Sequence, residues 1–210
     1  MREGVTMRAR LIYVVGASGS GKDSLMAYAR NSLANAGQVV FAHRYITRAA
    51  DAGGENHVAL TPDEFESRRR AGLLAMHWQS HGYAYGIGIE INQWLAKGIT
   101  VVVNGSRQYL ETAAQRYCEL LPVWIEVTPA VLRARLLARG RETATEIEQR
   151  LARAPQTALT VRPGKVIHND GELAVAGDAL VDLIRGCYGA TCAMPRDGQK
   201  MERSAVMRCA

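Results

Sequence analysis

The chain has 210 residues, 48% hydrophobic and 22% charged, with 26 Lys and Arg against 20 Asp and Glu, a formal net charge of +6. These values fit one globular domain able to bury a sizeable core, and they exclude a disordered or fibrous chain. No stretch approaches the eighteen or so apolar residues of a membrane helix. The basic surplus is dispersed, with Arg68-Arg69-Arg70 its only run, and phosphorylated small molecules account for it as well as nucleic acid does.

Residues 1–10 carry charges without a signal-like apolar core, so cytoplasmic residence is expected and Met7 is an alternative start. The first strand is predicted at Leu11–Val15, followed by Gly16-Ala17-Ser18-Gly19-Ser20-Gly21-Lys22-Asp23 and a helix over Asp23–Ala36. This is the strand, loop and helix setting of G-x-x-x-x-G-K-[ST], with Asp23 in place of the final hydroxyl. Backbone N–H groups from Gly16 to Gly21 would curl around the phosphates of ATP, and Lys22 would reach the β- and γ-phosphates. Asp23 has two compatible readings. It is an acid favoured by the first turn of a helix, or a magnesium ligand standing where Ser or Thr usually stands. Ser24 offers a hydroxyl one residue out of register.

Further strands are predicted at Val39–His43, Ile99–Asn104, Val123–Val127 and Lys165–His168, with helices at Tyr109–Tyr117, Pro129–Ala138, Thr143–Ala154 and Glu172–Arg185. Strands alternating with helices imply an α/β, P-loop NTPase fold around a parallel sheet of about five strands. Thr128 and Pro129 form a helix start. From residue 45 to 97 the pattern changes. Gly53-Gly54, a short helix from Pro62 to Ala71 and the His77-Trp78…Tyr85-Gly86 segment read as an inserted acceptor-binding subdomain, with Tyr85 in a polar loop. Residues 133–153 are arginine-rich. Arg135 and Arg139 share a helix face, and Gly140 supplies a hinge before Arg141 and Arg150, which reads as a lid over a phosphoryl-transfer site. Residues 186–210 lose periodicity and read as a disordered tail. Cys118, Cys187, Cys192 and Cys209 fit no zinc pattern and are expected as reduced thiols.

The loop, Ile46-Thr47-Arg48, Gly54-Glu55, Tyr85-Gly86 and Arg135…Gly140…Arg150-Leu151 resemble the guanylate kinase superfamily. Gly-Lys-Asp-Ser at 21–24, Ala50-Asp51-Ala52-Gly53-Gly54-Glu55, His57, His77-Trp78, His81-Gly82 and Val101-Val102-Val103-Asn104-Gly105-Ser106-Arg107 are similar to the bacterial ribose 1,5-bisphosphate phosphokinase family within it. The likeness covers residues 8–185. Two departures from true guanylate kinases stand out. Asp51 replaces a second arginine, and His77 stands at a guanine-reading glutamate, where imidazole cannot pair the same two N–H donors. The resemblance therefore implies an ATP- and magnesium-dependent kinase making 5-phosphoribosyl 1-diphosphate in phosphonate breakdown.

In that scheme Lys22, Arg135, Arg139 and Arg150 serve the transferring group, and Arg48 and Tyr85 hold acceptor phosphate, with His57, His77 and Asn104 as further substrate contacts. For each of these last three, an ordinary hydrogen-bonding role stays open, and Trp78 reads as core. A nucleoside monophosphate kinase and a non-catalytic guanylate-kinase-like module are the alternatives. Neither a nucleic acid nor a membrane partner is expected, and the chain is a monomer or homodimer.

Overall fold

The computed structural model describes residues 10–52, 55–140, 147–148 and 164–189. In chain order its strands are β1 (Leu11–Gly16), β2 (Val39–Phe41), β3 (Arg44–Ile46), β4 (Val58–Ala59), β5 (Leu74–Ser80), β6 (Tyr83–Gly88), β7 (Thr100–Asn104), β8 (Leu120–Glu126) and β9 (Lys165–His168). The helices are α1 (Lys22–Ser32), α2 (Pro62–Arg70), α3 (Glu90–Ala96), α4 (Leu110–Arg116), α5 (Pro129–Arg139) and α6 (Leu173–Gly189). They build an α/β fold on a parallel five-stranded sheet of order β2-β7-β1-β8-β9.

β1 runs through the middle of that sheet, and its residues alternate between two cores, as the period of a strand requires. Ile12 and Val14 pack with Leu25, Met26 and Ala29 of α1 and with Leu180 and Ile184 of α6. Leu11, Tyr13 and Val15 pack on the other face with Ile91, Leu110 and Ala113, and with Ala75, Met76 and Ile87 of the insertion. All five residues of β1 from Leu11 to Val15 are at most 1% exposed, which is why the run is uniformly apolar. β7 ends at Asn104 beside Val14 and β1 two residues later at Gly16, and the crevice beyond those carboxyl ends is where ligands of such sheets lie.

The insertion is a small sheet of order β4-β3-β6-β5, covered on one face by Leu60 and by Phe65 of α2. A two-residue turn joins β5 to β6, with His81 at φ 51° and Gly82 at φ 78°, the mirror-image turn that suits strand twist. α2 starts where expected. Thr61 accepts from the Glu64 N–H at 3.2 Å while Glu64 takes the Thr61 N–H at 2.9 Å, and Pro62 opens the helix.

Several boundaries differ from the sequence reading. The second strand stops at Phe41 instead of His43, because the chain turns there into the small sheet and Arg44 begins β3. The first helix ends at Ser32 rather than Ala36. Tyr85 lies in β6, not in a polar loop, and is 8% exposed. α6 continues to Gly189, four residues beyond Arg185, because its apolar face packs along α1. Of the predicted helix over 143–154 only 147–148 fall among the described residues, and 190–210 lie outside them. Cys118 is exposed and Cys187 half-buried, both as free thiols. No described helix is long and apolar enough to cross a membrane.

Candidate active site

The loop from Gly16 to Gly21 turns on left-handed glycines, Gly19 at φ 94° and Gly21 at φ 80°. Gly21 is required twice over. Its φ disfavours any side chain, and a Cβ there would stand 2.5 Å from Nδ2 of Asn169. Asn169 follows β9, is 2% exposed, and donates from Nδ2 to the Ser20 carbonyl at 2.7 Å while its own N–H reaches the Glu126 carbonyl at 2.8 Å. Arg135 reaches over from α5. Its Nη1 donates to the same Ser20 carbonyl at 3.2 Å and its Nη2 to the Asn169 carbonyl at 2.8 Å. The Ser20 oxygen is thereby turned onto Arg135 and Asn169, away from where phosphates would meet it. The Ser20 hydroxyl is buried with no hydrogen-bond partner among the described residues, a donor left for a ligand.

Lys22 opens α1. Its ammonium donates to Oδ1 of Asn104 and to Oδ1 of Asp23, the latter at 3.1 Å. Burial pushes the Lys22 pKa down, against the pull of Asp23. Burial also opposes ionisation of Asp23, but the neighbouring Lys22 charge, with Arg44 and the Asn104 amide, outweighs it and holds that carboxyl below its ordinary value. Asn104 closes β7 and joins two half-sites: its Nδ2 donates to Asp23 Oδ1 at 2.8 Å and to Glu55 Oε2 at 3.0 Å. Asn104 is thus central to the site rather than a plain loop cap.

Glu55 joins this group to Arg44 and Tyr85. Arg44 grips both its oxygens, through Nε at 2.8 Å and through Nη2, and Arg48 comes within 4.0 Å. The Arg44 guanidinium lies 5.0 Å over the Tyr85 ring, and Tyr85 stacks on Trp78 at 5.8 Å with planes 3° apart. Burial raises the Tyr85 pKa, so its phenol remains a donor near neutral pH. Trp78 is half-buried in this stack, tilted against Tyr109 at 5.7 Å, and joins the core as expected. From Lys22 to Trp78 the contacts are unbroken.

Other expected residues fall elsewhere. His57 is 8% exposed, and its two ring nitrogens face backbone carbonyls, Glu55 at 3.1 Å and Arg48 at 3.2 Å. It ties together the backbone at Arg48 and Glu55 rather than facing the crevice. His77 pairs with Gly86 while Trp78 pairs with Tyr85, so strand alternation puts His77 on the α2 side of the small sheet, in a cavity of about 470 Å³ shared with Phe65, Glu66 and Arg69. The face toward Arg44 carries Met76, Trp78, Tyr85 and Ile87 instead. Arg135 is fastened to the loop and does not stand free as a lid residue. Gly140, at φ 63°, is the left-handed cap of α5. Arg139 sits in the last turn of α5 with its side chain outside the described residues, and Arg150 lies outside them altogether. Ala17 packs on Leu132 and Leu136, whereas Ser18 and Ser24 are exposed.

Three residues that the structure joins to the candidate site were not predicted from the sequence: Arg44, Glu55 as a site carboxylate, and Asn169. A pattern offered a cue only for Glu55, inside Gly54-Glu55. Arg44 is a single polar residue at the start of β3 and Asn169 one just past β9, and only the fold brings them to the site.

No protein-family model matches the chain, whereas known proteins resemble it in sequence and in fold. The chain is 58% identical over 175 residues to the ribose 1,5-bisphosphate phosphokinase PhnN of Thiobacillus denitrificans, a match covering 83% of this chain and 92% of that protein. The protein of the same name from Desulfomicrobium baculatum is 58% identical over 176 residues, covering 84% and 94%. Among solved structures, guanylate kinase from Anaplasma phagocytophilum superposes with a TM-score of 0.59 over 89% of each chain at 16% identity, a likeness of fold.

Proposed function

The chain belongs to the ribose 1,5-bisphosphate phosphokinase family, and from that premise we infer that it transfers the γ-phosphoryl group of ATP to the 1-phosphate of ribose 1,5-bisphosphate. The P–O bond between the γ-phosphorus and the β,γ-bridging oxygen breaks. A bond from an acceptor phosphate oxygen to the γ-phosphorus forms, giving 5-phosphoribosyl 1-diphosphate and ADP. The observation that carries this reading is the continuous run of contacts from Lys22 through Asn104 and Glu55 to Arg44 and Tyr85, which joins a phosphate loop to a cationic face.

The acceptor is already an ionised phosphate, so the reaction needs no strong general base. Its difficulty is bringing two polyanions together, and catalysis is positioning with charge neutralisation. In this reading the N–H groups of residues 16–21 and Lys22 hold the ATP phosphates. Arg135 and Asn169 keep the loop in that shape. Arg44, Arg48 and the Tyr85 phenol take the acceptor phosphate, and His57 holds the two loop carbonyls that frame Arg48. Arg139 and Arg150 remain candidates for closing over the transferring group.

The donor set suits magnesium. Asp23 and Glu55 are hard carboxylate donors lining a cleft of about 100 Å³, room for an ion and two or three waters but not a nucleoside. Asp23 would hold the ion, with Glu55 and Asn104 beside it. Bound there, magnesium would offset the negative charge of the transferring group.

A guanine base is poorly served, because the sheet face beside Tyr85 offers Met76 and Ile87, both fully buried, and no carboxylate on β5. The same reading places the enzyme in the cytoplasm as a monomer or homodimer, without a nucleic-acid partner. An ADP-release assay comparing ribose 1,5-bisphosphate with GMP tests the proposal. Turnover of the sugar bisphosphate, abolished in a folded Lys22→Ala variant, is expected. Turnover of GMP alone would overturn it.

A further inference from the structure

P-loop enzymes usually hold their metal with the hydroxyl that follows the loop lysine and with a carboxylate from a neighbouring strand. Here the carboxylate stands at the other position and the hydroxyl at neither. The carboxylate, Asp23, follows Lys22, and the residue that closes β7 beside β1 is the amide Asn104. The two side chains are also in direct contact, Asn104 Nδ2 donating to Asp23 Oδ1 at 2.8 Å.

The role of Asn104 is one that only an amide fills. Its oxygen accepts from Lys22, while its nitrogen serves both Asp23 and Glu55. An aspartate at 104 would have no N–H for either partner, and would set a third carboxylate within hydrogen-bond distance of both Asp23 and Glu55. Conversely, a hydroxyl at 23 beside an amide at 104 would remove the negative charge next to Lys22. Asn104 is 4% exposed, so water cannot readily make good a mismatch there. Each residue is therefore suited to the other.

We propose that Asp23 and Asn104 are an exchanged pair: Asp23 supplies the anionic oxygen toward the metal–nucleotide, and Asn104 is the positioning residue that holds it there. Both described bonds to Asp23 fall on Oδ1, and the carboxylate lines the cleft it shares with Glu55 and Asn104. The pair keeps one negative charge between the two positions, as the reversed arrangement would. This inference rests on the ATP-dependent reading above and concerns how that site is charged.

The test is a mutant cycle of Asp23→Ser, Asn104→Asp and the double variant, with the isosteric Asp23→Asn as a fourth protein. The main readout is Mn2+ binding in the presence of a non-hydrolysable ATP analogue, followed by the electron-paramagnetic signal of the free ion. Turnover of ribose 1,5-bisphosphate and thermal unfolding are measured alongside. Each single variant is expected to raise the Mn2+ dissociation constant about tenfold, roughly 1.4 kcal/mol, and the double variant to return to within about threefold of wild type. Asp23→Asn, which preserves shape, is expected to lose as much as Asp23→Ser. Additive losses in the double variant, or wild-type Mn2+ binding in both Asp23→Ser and Asp23→Asn, would overturn the pairing. If that happens while the unaltered protein still turns over the sugar bisphosphate, the kinase reading stands and the pairing alone falls. Failure of the unaltered protein to bind Mn2+ with the analogue would overturn the pairing, and failure of turnover would sink the kinase reading.

Discussion

Replacing Gly21 by alanine would burden the phosphate loop in two separable ways. The residue must keep φ near 80°, and its new Cβ would meet Asn169 Nδ2 at 2.5 Å, closer than atoms pack. Left-handed backbone in a non-glycine residue costs about 1–2 kcal/mol. Displacing Asn169 breaks its bond to the Ser20 carbonyl, roughly another 1 kcal/mol. The sum, about 2–3 kcal/mol, corresponds to a fall in Tm of about 5–10 °C for a chain of this size. Thermal unfolding by circular dichroism measures it, and calorimetric ATP titration should show weakened binding, because the Ser20 carbonyl is freed toward the phosphates. The steric part is isolated by Asn169→Ala. The double variant should be less destabilised than the sum of the singles by about 1 kcal/mol. Gly37→Ala is the control, with nothing within 4 Å of a Cβ there, and should leave Tm unchanged or slightly raised. Equal Tm for Gly21→Ala and wild type, or strict additivity in the cycle, would refute the reasoning.

The other expectations follow from neighbouring contacts. Arg135→Ala should raise KM for ATP by about tenfold or more, since two charged hydrogen bonds to carbonyls are lost, and Arg135→Lys should not rescue it, because one ammonium cannot span the Ser20 and Asn169 oxygens. Tyr85→Phe preserves the stack on Trp78 and the Arg44 contact, so stability should hold within about 0.5 kcal/mol while KM for the sugar bisphosphate rises in steady-state kinetics. His57→Ala frees the Glu55 and Arg48 carbonyls, and a higher acceptor KM with nearly unchanged kcat is expected. Acid should loosen the site. The Asp23 carboxyl has a lowered pKa, so its ionised form favours the folded state above the ordinary aspartate range, and that contribution fades as pH falls through its native pKa. Stability of Asp23→Asn should therefore fall less steeply below pH 4 than that of wild type.

The parts of this molecule that are periodic or local are legible in its sequence. β1 is buried on both faces and reads as an unbroken apolar run, Thr128 accepts the Val131 N–H as a helix cap should, and the loop glycines announce their own turn. The small sheet was less legible. Its strands are two to seven residues long, and Trp78 and Tyr85 look alike in a loop or a strand until their partners are known. His77 shows the same difficulty most sharply, because one residue of register decides which face of β5 it occupies. Arg135 was visible as an arginine on a helix, but its target is a carbonyl 115 residues earlier in the chain. Asn169 and Arg44 carried no pattern at all. Their importance comes from tertiary proximity, which composition and spacing do not encode.

If Arg44 takes the acceptor phosphate as proposed, the Arg44–Glu55 pair makes that side an ion exchanger whose counter-ion is attached to the chain. A phosphate arriving there does not meet bare guanidinium groups. It must displace a carboxylate already bonded in bidentate fashion, and the released carboxylate keeps only its bond from Asn104 until it finds other partners. Such exchange penalises weak or monovalent anions more than a dianionic phosphate, since only the stronger ligand recovers what the resident pair gives up. Ordinary cellular anions would thus be filtered out without any wall or gate, by competition with a residue that is always present at high local concentration.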